Sequence, residues 1–187
     1  DLPLIAIQDE SAGRHDATPK ILTFNLMAAG PVATPAGAVT PPERTHARES
    51  HTAGNPGHEL PSAGPVFELP AGVNRLGFTG QAWKAHPTGG IDFDLYLASD
   101  AATQAHVGNW AHLWHPSPEE GQFRAANQSQ RFEERQHILR VRGSGPFTTL
   151  IVPWRKGHRP DGLTVSQEGG TLVVQTPQGV IRLGKKP

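Results

Sequence analysis

Nine residues, Gly108 to Pro116, hold the densest chemistry in the chain: Gly-Asn-Trp-Ala-His-Leu-Trp-His-Pro. Two of the four tryptophans and two of the ten histidines fall within them. On a strand, Trp110, His112 and Trp114 share one face while Leu113 and His115 take the other. On a helix, Trp110 and Trp114 are still neighbours at i and i+4. Either geometry makes a broad aromatic surface with an ionisable ring inside it, suited to stacking on flat apolar ligands such as sugar rings. The competing reading is structural, because tryptophans are heavily buried on average. The spacing does not separate the two.

A second cluster reads Trp154-Arg155-Lys156-Gly157-His158-Arg159. Such a turn can grip a carboxylate or sulfate through Arg155, Lys156 and His158 while the indole stacks. It would supply the charge that an aromatic platform lacks, provided the two segments lie close in space. Its bland counterpart is an exposed loop whose arginines meet only water or the chain's own glutamates. Arg140 and Arg142 share a face of a nearby expected strand.

His112 and His115, with His86 and His106, raise the question of a metal. Neutral imidazoles suit zinc or copper, and Asp92 or Asp94 would complete such a site. The i, i+3 histidine spacing lacks the glutamate of a zincin motif, and His-rich loops arise by composition alone. Asp92 and Asp94 also suit calcium, against the simpler reading of a solvated strand face. Tyr96 becomes a general base only if neighbouring cations lower its pKa far below about 10. No Gly-x-Ser-x-Gly elbow, P-loop or dinucleotide fingerprint occurs, so nucleophilic hydrolysis and nucleotide chemistry have no support.

The elements that must position these groups are strands. Gly (21) and Pro (18) are abundant and apolar runs are short, the pattern of strands joined by many turns. Strands are expected at residues 4–8, 21–27, 66–69, 74–79, 91–98, 136–141, 147–153, 163–167, 171–175 and 180–183. Gly169-Gly170 and Pro177-Gln178-Gly179 are hairpin connections that make the C-terminal part a meander. Ile91, Phe93, Leu95 and Leu97 alternate with Asp92, Asp94 and Tyr96, giving one core face and one polar face. Residues 147–152 are apolar or Thr throughout, the signature of a central strand covered on both sides. Residues 41–65 read as a long exposed loop, and 118–127 as the one helical turn, with Pro118 near its start and two glutamates after it. The expected fold is all-β: a two-layer antiparallel β-sandwich of about ten short strands with one short helical segment.

Composition sets the outer limits. A chain of 187 residues makes a single domain that buries a sizeable core without staples. With no cysteine there are no disulfides or thiolate metal sites. Lys+Arg and Asp+Glu both number 17, which leaves no net field to recruit nucleic acid or a membrane surface. The ten histidines turn the balance positive as pH falls through about 6.5. No apolar run approaches the roughly 20 residues of a membrane span. The chain opens with Asp1-Leu2-Pro3 and then an apolar run, as a processed protein or a fragment would.

Several segments together resemble one family. Ile5-Ala6-Ile7-Gln8-Asp9-Glu10 leads to Leu22-Thr23-Phe24-Asn25-Leu26-Met27. Gly80-Gln81-Ala82-Trp83 and Ile91-Asp92-Phe93-Asp94-Leu95-Tyr96 follow. His137-Ile138-Leu139-Arg140-Val141-Arg142 then runs toward Leu150-Ile151-Val152-Pro153-Trp154-Arg155-Lys156-Gly157. The set resembles the C-terminal β-sandwich domain of heparinase II/III-like polysaccharide lyases, through strand patterns rather than catalytic signatures. The resemblance implies a sandwich packed on an α/α toroid, acidic polysaccharide in the cleft between them, and β-elimination by groups supplied mostly from the toroid. It implies a periplasmic or secreted protein acting on a glycosaminoglycan or uronate polymer. It also implies a structural zinc held by Asp and His; Asp9 stands where the Asp belongs, but Met27 stands where a histidine would. No residue is carried over as catalytic. Trp110, His112, Trp114, Trp154, Arg155, Lys156 and His158 are the expected substrate-binding residues, and a stand-alone carbohydrate-binding module using the same aromatics is the alternative.

Overall fold

Residues 91–99 form the strand around which the molecule is organised. The computed structural model describes residues 3–9, 19–41, 65–80, 90–113 and 133–184, with the side chains at 109–113 and 133–136 excepted. These residues form thirteen strands and no helix. In chain order they are β1 (Ile5–Asp9), β2 (Lys20–Leu26), β3 (Val32–Thr34), β4 (Gly37–Val39), β5 (Val66–Leu69), β6 (Gly72–Phe78) and β7 (Ile91–Ser99). Then come β8 (Thr103–Leu113), β9 (Glu133–Gly143), β10 (Phe147–Arg155), β11 (Thr164–Glu168), β12 (Thr171–Thr176) and β13 (Gly179–Leu183).

The chain is all-β, and two of its antiparallel sheets pack as the expected sandwich. One has six strands in the order β1-β10-β7-β6-β3-β4, the other four in the order β2-β9-β8-β5. The chain passes repeatedly between them, as at the three-residue corners 100–102 and 144–146. Between the layers lie Leu76 and Phe78 of β6, Phe93, Leu95 and Leu97 of β7, Val107 of β8, and Leu139 and Val141 of β9. Phe78 and Phe93 stack with ring centroids 5.1 Å apart. Removing each large apolar side chain from water contributes about 1.5–3 kcal/mol.

A third layer completes the fold. β11, β12 and β13 form the expected C-terminal meander, a separate three-stranded sheet. It packs on the outer face of the six-stranded sheet, where Leu172 and Val174 meet Tyr96, Ala98, Leu150 and Val152. β10 is therefore covered on both sides, as its continuous apolar sequence requires. β7 is covered on both sides as well, although its alternation marks only one face as core. Its Asp-Asp-Tyr face is not a solvated strand face: Asp94 and Tyr96 are 1% and 5% exposed.

Two strand features go beyond the expected elements. The hairpin of β3 and β4 was not expected; Thr34-Pro35-Ala36-Gly37 between two valines is its turn signal, with Gly37 at φ +121. Residues 103–107 extend β8 upstream of the aromatic segment. The loop expected at 41–65 and the helical turn at 118–127 lie, but for residues 41 and 65, outside the described residues. No helix of the described residues is long and apolar enough to cross a membrane.

Candidate functional site

Asp94 is the hub of the polar chemistry buried between the six-stranded sheet and the meander. Its neighbours across the ladder are Gly77 on β6 and Val152 on β10. Gly77 has no side chain, and that flat spot leaves room for the carboxylate. A Cβ there would lie 3.3 Å from Asp94 Oδ1. Arg75 Nε reaches Asp94 Oδ2 at 2.7 Å. Arg159 donates to the same oxygen from Nη2 at 2.8 Å and Nε at 3.2 Å. The Tyr96 hydroxyl donates to it over 3.4 Å. Oδ1 is buried without a partner. Two guanidinium groups thus converge on one carboxylate, leaving one net positive charge.

This network fixes the basic turn. The Arg159 guanidinium lies 5.8 Å from the centre of the Trp154 ring, a cation–π contact. Trp154 also packs against the apolar cluster beneath the meander. Hydrogen bonding to Asp94 holds the Arg159 pKa above its usual value, so it stays charged throughout. Both arginines are about half in water, so solvent screening limits their pairing with Asp94 to about 1 kcal/mol each. From sequence alone the turn's arginines are either ligand contacts or loop charges meeting only water or the chain's own glutamates. Arg159 instead grips the chain's own aspartate, 65 residues away.

The rest of the turn projects outward. The Lys156 N–H donates to Gly90 O at 2.9 Å, and the His158 N–H closes the turn on Arg155 O at 2.8 Å. Gly157 sits at φ +77, a conformation that glycine adopts without a Cβ clash. Arg155 and His158 are exposed and Lys156 is half-buried. Among the described residues none of the three has an ion-pair partner.

Trp110 and His112 lie on β8, opposite Gln136 and Glu134 of β9, so this part of the aromatic segment is strand rather than helix. Trp114 lies outside the described residues, as does His86. β8 belongs to the four-stranded sheet, whereas Trp154 packs on the face of the six-stranded sheet turned away from it. The Trp154–Arg159 turn and β8 therefore belong to different sheets, while the side chains of Trp110 and His112 lie outside the described residues. The cations that do accompany β8 come from β9: Arg140 stands opposite His106, and Arg142 opposite Gln104.

Other expectations resolve in the same way. Tyr96 is not poised as a base: burial and Asp94 raise its pKa more than Arg75 and Arg159 lower it. Asp92 and Asp94 do not pair toward a calcium ion. Asp92 accepts the Gly80 N–H at 3.0 Å, and Asp94 is held by arginines. Among the described residues no three His, Asp or Glu side chains converge where zinc would sit. Asp9 ends β1, half-buried, and Met27 follows β2, 37% exposed.

The Asp94 hub was visible in sequence only as a polar strand face. Arg75 and Gly77, its partners from β6, carried no signal of their own. Comparison with protein-family models, with curated proteins and with solved structures finds no match.

Proposed function

We propose that this β-sandwich binds acidic polysaccharide through the turn after β10, with Arg155, Lys156 and His158 pairing with uronate carboxylates or sulfates. The observation that carries the reading is a rigidly rooted cationic turn whose outward groups lack acidic partners among the described residues. Trp154 and Asp94 act beneath it, holding Arg159 and with it the loop, rather than stacking on the sugar. Preorganisation of this kind reduces the ordering cost of gripping a flexible polyanion. In the terms of the heparinase II/III-like resemblance, the chain is the sandwich half of a lyase, and β-elimination falls to a helical toroid domain. That assignment agrees with a buried Tyr96 whose proton is held tightly.

Affinity electrophoresis against heparin, polygalacturonate and neutral dextran tests the reading. Retardation is expected with the two acidic polymers only, and it should weaken as salt screens the charges. The double variant Arg155→Ala/Lys156→Ala should bind about tenfold more weakly, one to two charge-assisted contacts having gone. Equal retardation by dextran, or unchanged binding in the double variant, overturns the proposal. Unsaturated uronate released by the isolated chain would move the chemistry onto this chain.

A further inference from the structure

The outer face of the four-stranded sheet, away from the sandwich core, gathers a second set of cation-forming groups. His106 of β8 stands opposite Arg140 of β9, and Thr23 of β2 stands opposite Arg140 on its other side. Arg142, two residues along β9, is exposed. The Arg140 Nε is withdrawn from water and donates to nothing. A buried charged donor without an acceptor is rare in native proteins and calls for an explanation. Among the residues whose side chains are described, Glu68 is the carboxylate on this face; it lies on β5 opposite Gln104, diagonal to His106. Two cation-forming side chains therefore sit side by side, and neither has an ion-pair partner among the described residues.

We propose that His106 and Arg140 form an oxyanion-binding site that takes a carboxylate or sulfate group on the outer face of the four-stranded sheet. A planar or tetrahedral oxyanion matches the fork of a guanidinium, and His106 adds a second donor. Such a ligand supplies the counter-charge that Arg140 lacks among the described residues and lets His106 hold a proton beside it. The competing role for Arg140 is packing alone, its stem lying over the sheet. That role gives no response to anions. Burial and Arg140 both hold the His106 pKa below its usual value; Arg142 of β9 and Glu68 of β5 are the other charged groups on this face whose side chains are described. Binding thus tightens as pH falls through the His106 titration. The site lies on a different sheet from the Arg155–Arg159 turn and does not depend on the function proposed there.

Proton NMR of the full chain decides the matter, with the His106 ring assigned by comparison with His106→Gln. Inorganic sulfate and monomeric glucuronate are titrated separately at several pH values. At least one of them should shift the His106 resonance saturably and raise its apparent pKa. The same anion should bind about tenfold more weakly to Arg140→Gln, the loss of one charge-assisted contact. The anion that binds more tightly identifies the source as a free inorganic ion or an acidic sugar. Arg155→Ala/Lys156→Ala should leave the response unchanged. A His106 resonance indifferent to both anions in the wild-type chain overturns the proposal whether or not Arg140→Gln folds. So does a response of equal strength in a folded Arg140→Gln.

Discussion

His137 places an ionisable ring inside the sandwich core, against Phe78 and 1% exposed. Its Nε2 lies 2.8 Å from Gly30 O, and a carbonyl only accepts, so Nε2 carries the proton of the neutral ring. That leaves Nδ1 as a bare lone pair, buried and without a donor. Burial lowers the His137 pKa, and the Gly30 carbonyl offsets this only in part. The sign of the pH effect follows. Above the unfolded value of about 6.5 both states are neutral and the fold has its full stability. Below that value the unfolded chain takes up a proton that the native ring resists. Stability then falls by up to about 1.4 kcal/mol per pH unit until the lower native pKa is reached. The urea midpoint should therefore drop between pH 7 and pH 5. His137→Gln, which keeps a donor for Gly30, should show a shallower drop, with His106 supplying the remainder. An acid slope unchanged in that variant would show that His137 is not its source.

Two glycines at one end of the hairpin between β6 and β7 separate a structural constraint from a tolerant neighbour. Gly80 bridges Ala28 and donates its N–H to Asp92, bringing the chain hard against β7. A Cβ at Gly80 would fall 1.8 Å from the Ile91 carbonyl oxygen, so the backbone itself would have to move. At Gly77 the nearest atoms, Ala33 Cβ and Asp94 Oδ1, would be 3.3 Å away, and the Arg75 guanidinium among its neighbours has room to shift. Gly80→Ala should cost about 3 kcal/mol or more, and Gly77→Ala about 1 kcal/mol. Chemical denaturation of the two variants tests the ranking. Similar midpoints would mean that the Gly80 approach is not a constraint in solution.

Across the whole molecule, the third sheet turns a sandwich into a three-layer fold. Leu172 is fully buried against the outer face of the six-stranded sheet and belongs with Leu150 and Val152 to the second apolar cluster. If the meander is an integral layer, Leu172→Ala should cost about 2–5 kcal/mol in the single unfolding transition of the whole chain. A separate early transition, or a loss below about 0.5 kcal/mol, would mark the meander as an independent appendage. The layer also matters to the site. By covering the polar face of β7 it buries the Asp94 carboxylate that holds Arg159 and roots the basic turn.

Periodicity and turn residues determined most of the strands, the central place of β10, the C-terminal meander and the core face of β7, because these are local consequences of side-chain alternation and of Gly and Pro. Alternation tells which residues share a face and nothing about what covers that face. The burial of Asp94, the capture of Arg159 from 65 residues away and the Gly30 contact of His137 from 107 residues away were therefore decided by tertiary structure. So was the placing of the basic turn and the aromatic segment on different sheets, since two segments on different sheets look the same in sequence as two segments on one. The pairing of His106 with Arg140 depends in turn on a cross-strand register that connects distant stretches of chain, and only the assembled sheet fixes it.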